Sequence, residues 1–142
     1  MTVFDSARSG RNRFAVGLGS VGSYQVAGVP FMTGSGTDGL GSGTEHKIEF
    51  PTITKSILVV NKDAGDCDVR VHFVSKDAPG DVYGGFHYFT LDSDTDSVSF
   101  NIKCKEIYVS AVGCDSTYEL VAELTGIATT EMFPLTGSGL TD

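Results

Sequence analysis

Apolar and polar residues alternate with a period of two through most of residues 45–125, and that spacing commits the centre of the chain to half-buried antiparallel strands. Val98, Phe100 and Ile102 take alternate positions between Ser97 and Lys103. Cys67, Val69, Val71 and Phe73 do the same, as do Ile107, Val109 and Ala111, and then Tyr118, Leu120, Ala122 and Leu124 opposite Glu119 and Glu123. Ile57 to Val60 is an unbroken apolar run, the pattern of a strand buried on both faces. Ile48 with Phe50 marks another strand, and Phe86 to Leu91 is an aromatic-rich seventh. Clusters of turn-forming residues separate the runs, at Asn61 to Asp66, Asp77 to Asp81, Asp92 to Asp96 and Gly113 to Ser116. Short strands at a spacing of roughly ten residues predict an all-β fold, a single antiparallel β-sandwich or jelly-roll-like barrel of about seven strands.

The two ends read differently. Nine of the eighteen glycines fall between Gly17 and Gly43. No helix survives that density, because each interior glycine costs about 0.5–1 kcal/mol relative to alanine. Ordering such a backbone costs about 1–2 kcal/mol per residue. Burial of its few apolar side chains returns roughly 1.5–3 kcal/mol each. Residues 1–43 are therefore expected to be an extended N-terminal arm, without order when free or laid as a strand along a partner. Residues 44–127 form the sandwich domain in this reading, and 128–142 a short C-terminal arm. Phe14, Tyr24, Val26, Phe31, Phe133 and Leu135 are the expected anchors of the two arms.

With 142 residues and net charge −8, the chain has the size of one domain and repels phosphate backbones and anionic membranes. Nucleic acid and membrane are thus not expected partners. The charge is uneven: residues 1–43 carry Arg8, Arg11 and Arg13 against two aspartates, whereas residues 44–127 carry seven basic and fourteen acidic groups. The three arginines are candidates for electrostatic docking on an acidic neighbour, a second copy included. Cys67, Cys104 and Cys114 are odd in number and lack metal-ligand spacing. Cys67, at an apolar position of an alternating run, is expected to be a buried free thiol, which fits a reducing cytosol. The first twenty residues hold no apolar run of secretory type.

Motifs that carry chemistry are weak. Gly17-Leu18-Gly19-Ser20-Val21-Gly22 matches the dinucleotide fingerprint, but Gly28 and Pro30 follow where a helix is required. Asp92, Asp94 and Asp96 resemble the opening of a calcium loop, yet Ser97 and Lys103 stand where glycine and glutamate are needed. His72 is expected to face solvent or the far side of its sheet, and His46, His72 and His87 suggest no shared metal. Phe86, Tyr88 and Phe89 beside His87 would form an aromatic platform for sugar, although aromatic residues at strand spacing are more often core. No nucleophile has a base suggested by spacing, so neither an enzyme nor a cofactor is expected.

Taken as a whole, the order SYQVAGVPFMTGS, HKIEFPTITKSILVVN, VRVHF, HYFTLDSDTDSVSFNIKCKEIYVS and YELVAELTGI resembles small virion structural proteins of tailed bacteriophages, particularly those of marine cyanobacterial phages. The resemblance runs from about Tyr24 to the end of the chain. It implies a non-enzymatic, oligomeric capsid decoration or cement protein, assembled in the host cytoplasm onto the major capsid or another virion protein. A neck, tail or fibre component is the alternative, and a carbohydrate-binding β-module is one of another class.

Overall fold

The computed structural model describes residues 17–19, 21–22, 27–77 and 82–133. Eight strands form two four-stranded sheets: β1 (Val29–Gly34), β2 (Glu45–Glu49), β3 (Thr52–Asn61), β4 (Val69–His72), β5 (Phe89–Leu91), β6 (Ser97–Phe100), β7 (Glu106–Ala111) and β8 (Tyr118–Ala128). A 3-10 turn, Thr129–Glu131, follows β8. One sheet has the order β1-β8-β3-β6 and the other β2-β7-β4-β5, and every ladder is antiparallel. First pairs with last, second with seventh, third with sixth and fourth with fifth. Such a nested ribbon, wrapped so that β8 also meets β3 and β7 meets β4, has the strand order of an eight-stranded jelly roll. The sheets stay separate, so the fold is a sandwich and not a closed barrel.

The core lies between the sheets, where the inward positions meet. Ile57 and Val59 of β3 and Leu120, Ala122 and Leu124 of β8 face Ile48 of β2, Val69 and Val71 of β4, and Ile107, Val109 and Ala111 of β7. Asn61 joins the layers at one end and is fully buried. Its Nδ2 donates to the carbonyls of Cys67 (2.8 Å) and Leu91 (2.9 Å), and its Oδ1 accepts from the Asp63 N–H (2.8 Å). A buried amide with this many partners costs little and pins the β3 end to the β5 ladder.

The structure amends the sequence reading in several places. An eighth strand, β1, comes from the glycine-rich N-terminal segment and pairs with this chain's own β8, and Leu40 is fully buried. Residues 29–34 and Leu40 are thus built into the body. Gly34 permits the close approach of β1: a Cβ there would lie 2.7 Å from the Tyr118 carbonyl oxygen. The run Ile57–Val60 is buried on one face only, since Leu58 is 37% exposed while Ile57 and Val59 are closed off. Strand β6 stops at Phe100 although the alternation continues to Lys103. Beyond it the Thr54 hydroxyl donates to the Ile102 carbonyl (2.9 Å) and accepts from the Cys104 N–H (3.0 Å), where β3 is irregular in register. A side chain there takes over what a ladder would do.

Cys67 is not a free thiol. It forms a disulfide with Cys114, with a Cα–Cα distance of 6.1 Å, and Cys104 is the buried free cysteine. Alternation alone could not reveal a partner 47 residues away. Closing a loop of that length removes roughly 4 kcal/mol of denatured-chain freedom in the entropy model. A paired Cys67 gives no support to a reducing compartment.

Leu120→Ala should lower stability by about 2–5 kcal/mol, because it empties a closed site at the sheet interface. Met32→Ala, at a side chain 74% exposed, should change it by less than about 0.5 kcal/mol; urea unfolding of both variants checks the pair. Titration of the denatured, unreduced protein with a thiol reagent should find one reactive cysteine per chain, and three would contradict the Cys67–Cys114 pairing.

Candidate functional site

Alternation in the second sheet sends one set of side chains away from the core. Register aligns Glu45 of β2, Ser110 of β7, Arg70 of β4 and Thr90 of β5 in one row, with Lys47, Tyr108 and His72 in the next. An outer face of a sandwich normally meets water. Here Ser75, Lys76 and Tyr83, from the chain after β4, lie over it. Val82, His72 and Ser110 are all fully buried, and Tyr108 is nearly so.

A chain of hydrogen bonds ties that segment down. His72 Nδ1 lies 2.8 Å from the Val74 carbonyl, which only accepts, so Nδ1 carries the proton and Nε2 is left as acceptor. The Ser110 hydroxyl donates to Nε2 (2.9 Å) and accepts from the Tyr83 hydroxyl (2.5 Å). Glu45 accepts from the Ser75 hydroxyl (2.6 Å) and the Lys76 N–H (2.7 Å). The Tyr108 ring stacks on His72 with centroids 5.9 Å apart and planes 5° from parallel. Burial lowers the His72 pKa below its ordinary 6.5, opposed by the Val74 carbonyl and the Glu45 charge. The imidazole is therefore neutral at pH 7.

Serine, histidine and a carboxylate thus meet in space, a grouping that sequence spacing did not disclose. Their geometry is that of a clasp. Ser110 is closed to solvent and bonded on both sides, and Glu45 Oε2 stands 3.9 Å from His72 Nδ1 while serving the loop backbone. The expectation that His72 points away from the core holds, but it meets a lid of protein and not water. A sequence signal did exist: Arg70 and His72 share the polar phase of β4.

The aromatic platform is only partly core. Phe86 is 78% exposed and Phe89 48% exposed. Tyr88 packs against Arg70, and Phe89 packs edge-on against Phe100 of β6, with centroids 6.3 Å apart. Phe31 lies on the inner side of β1, edge-on to Phe50 at 5.3 Å, and so anchors β1 to its own body. Phe133 is exposed. Phe14, Tyr24, Val26, Leu135, Arg8, Arg11 and Arg13 lie outside the described residues. In the acidic turn the Asp66 and Asp96 carboxylates accept from the Asp94 and Asp92 N–H groups. Hydrogen bonding to Asp96, with its charge, raises the Asp92 pKa. Among the described residues no three His, Cys, Asp or Glu side chains converge on a cation position. None of their helices is long and apolar enough to cross a membrane.

A second feature, missed in the sequence, lies on the outer face of the β1-β8-β3-β6 sheet. Met32 of β1 pairs with Val121 of β8, which pairs with Leu58 of β3, and all three are exposed. Glu119 and Glu123 flank this row on β8. An open groove of about 650 Å³ adjoins it, lined by Met32, Gly34, Thr37, Lys62, Glu119 and Val121. The signal was Val121 itself, an apolar residue in the polar phase of its strand. Comparison with protein-family models, curated proteins and solved structures finds no match.

Because the folded chain resists protonating His72 and the unfolded chain does not, stability should be full above about pH 6.5 and fall as the pH drops below it. His72→Gln, which keeps a donor and an acceptor but does not titrate, should flatten the fall in melting temperature between pH 7 and pH 5. An unchanged slope would remove His72 as its source.

Proposed function

We propose that this chain is a non-enzymatic virion structural protein, a capsid decoration or cement protein that binds the major capsid or another virion protein in many copies. The observation that carries this reading is the apolar row Met32–Val121–Leu58 on the outer face of the first sheet. Contiguous exposed apolar side chains with a charged rim are a mark of protein interaction surfaces. The row reaches β1, which among the described residues is an edge strand, a place for strand addition by a neighbour. A pressurised shell needs many modest contacts spread over its surface, and repetition on a symmetric lattice strengthens each through effective concentration. An acidic body agrees with protein as the partner and argues against nucleic acid and anionic membrane. The sequence resemblance points the same way, and oligomerisation and residence in the virion belong to the same proposal.

Purified particles from the source lysate provide the test, by immunogold labelling together with quantitative mass spectrometry. Dense label over the head with many copies per particle is the expected result. Label confined to one vertex or the tail would move the protein to the neck or tail, and particles lacking it would refute the virion reading. A Met32→Gln, Val121→Thr double variant, which removes the apolar row without adding charge beside Glu119 and Glu123, should fold normally yet fail to rebind particles stripped of the protein.

A further inference from the structure

Arg70 is an anomaly of charge. In a chain with eighteen acidic and ten basic residues, no carboxylate among the described residues pairs with it, and its Nε is buried without a hydrogen-bond partner. Native proteins rarely leave such a group unmatched, since a buried donor without an acceptor gives up its hydration for nothing. What holds the guanidinium is aromatic: its central carbon sits 4.1 Å from the Tyr88 ring centroid and 4.8 Å from that of Tyr83. Those rings stand nearly perpendicular, 5.4 Å apart, and form a corner around the cation. Tyr83 is fixed in turn by the Ser110–His72 clasp. The corner is therefore pre-organised by the buried network beneath it.

Phe86 completes the arrangement. Its ring lies 6.3 Å from Tyr88 at an angle of 42° and is 78% exposed. Its backbone has φ of +59°, a conformation unfavourable for any bulky residue and usual for glycine, although Gly84 and Gly85 directly precede it. The turn is closed by hydrogen bonds from the Phe86 N–H to the Tyr83 carbonyl (3.2 Å) and from the His87 N–H to the Val82 carbonyl (2.9 Å). These two bonds are the 6→1 and 5→2 pair of a turn whose fifth residue is left-handed, so the φ follows from the turn, and what is unusual is an exposed phenylalanine there in place of glycine. Nothing in core packing requires it.

We propose that Arg70, Tyr88 and Phe86 form a binding site for a carboxylated sugar residue of a glycan. The planar guanidinium matches the two oxygens of a carboxylate. The neighbouring tilted rings offer an apolar surface on the scale of one six-membered ring, against which the C–H face of a pyranose packs. A simple anion would leave Phe86 without a role, and a neutral sugar would leave Arg70 unmatched. An acidic sugar uses both. The site lies on the sheet opposite the Met32–Val121–Leu58 row, so a copy docked through that row keeps it free for a cell-surface or environmental polysaccharide.

The intact chain should be titrated calorimetrically with three probes: tri-galacturonate, a glucuronate-containing chondroitin tetrasaccharide and sialyllactose. Maltotriose and a glutamate-containing hexapeptide serve as controls. Binding of at least one acidic glycan is expected, with neither control binding comparably. Arg70→Gln should weaken it roughly tenfold or more, as loss of a charge-assisted contact does. Phe86→Ala, at an exposed ring that the fold does not need, should weaken it comparably while thermal unfolding stays unchanged. Binding of none of the three glycans, equal binding of the hexapeptide, or affinity unaltered in both variants would overturn the proposal. None of these outcomes depends on whether the protein is found on particles.

Discussion

Strand β8 carries the fold because it is the longest strand, has a partner on each side and joins the first strand to the third. Its backbone bonds to β1 along one edge and β3 along the other. Tyr118, Leu120, Ala122 and Leu124 drive into the sheet interface from the same eleven residues. Burying each large side chain contributes roughly 1.5–3 kcal/mol, so the inner phase of this strand alone stabilises the sandwich substantially. Once β8 is placed, the last strand has captured the first, and the nested pairing of the remaining strands follows as a ribbon wrapped on itself. The outer phase of β8 then decides what the first sheet shows to a neighbour, and there it shows Val121 between two glutamates.

The two outer faces diverge for a physical reason. On the first sheet the outward side chains midway along the central strands, Ser56, Leu58 and Val60 of β3 and Glu119, Val121 and Glu123 of β8, are small, apolar or acidic and are left partly or fully exposed. On the second they are Arg70, His72, Tyr108 and Ser110, groups that hydrogen-bond and stack, and they hold a covering segment in place. The neutral imidazole is central to that cover. It donates to the Val74 carbonyl and accepts from Ser110; a proton on Nε2 would remove the acceptor that Ser110 uses and place a charge in a closed space. The same network fixes Tyr83 and hence the corner that holds Arg70. A polar clasp beneath and an aromatic surface above are parts of one construction.

Much of the body was legible from period-two alternation: β4, β7, β8 and the all-β class follow from it directly. What was not legible depended on contacts distant in sequence. Strand β1 was hidden by its glycines and proline, which read as an arm until β8 is available to pair with it. The early end of β6 is the work of Thr54, and the pairing of Cys67 with Cys114 requires two turns to come together. His72 was placed on the correct side of its strand, but its burial depends on residues past Val74 that carry no helix or strand pattern. For the candidate surfaces, single residues in the wrong phase were the available signs: Val121 among the glutamates, and Arg70 beside a histidine.

Oxidation of Met32 by dilute peroxide, followed by mass spectrometry of free protein and of purified particles, tests the docking face most directly. Met32 is 74% exposed in the free chain and stands at one end of the apolar row. Rapid sulfoxide formation in the free protein and strong protection on the particle is the outcome this account predicts. Equal oxidation in both states would mean that this face stays open to solvent and that the protein is held, if at all, by another surface.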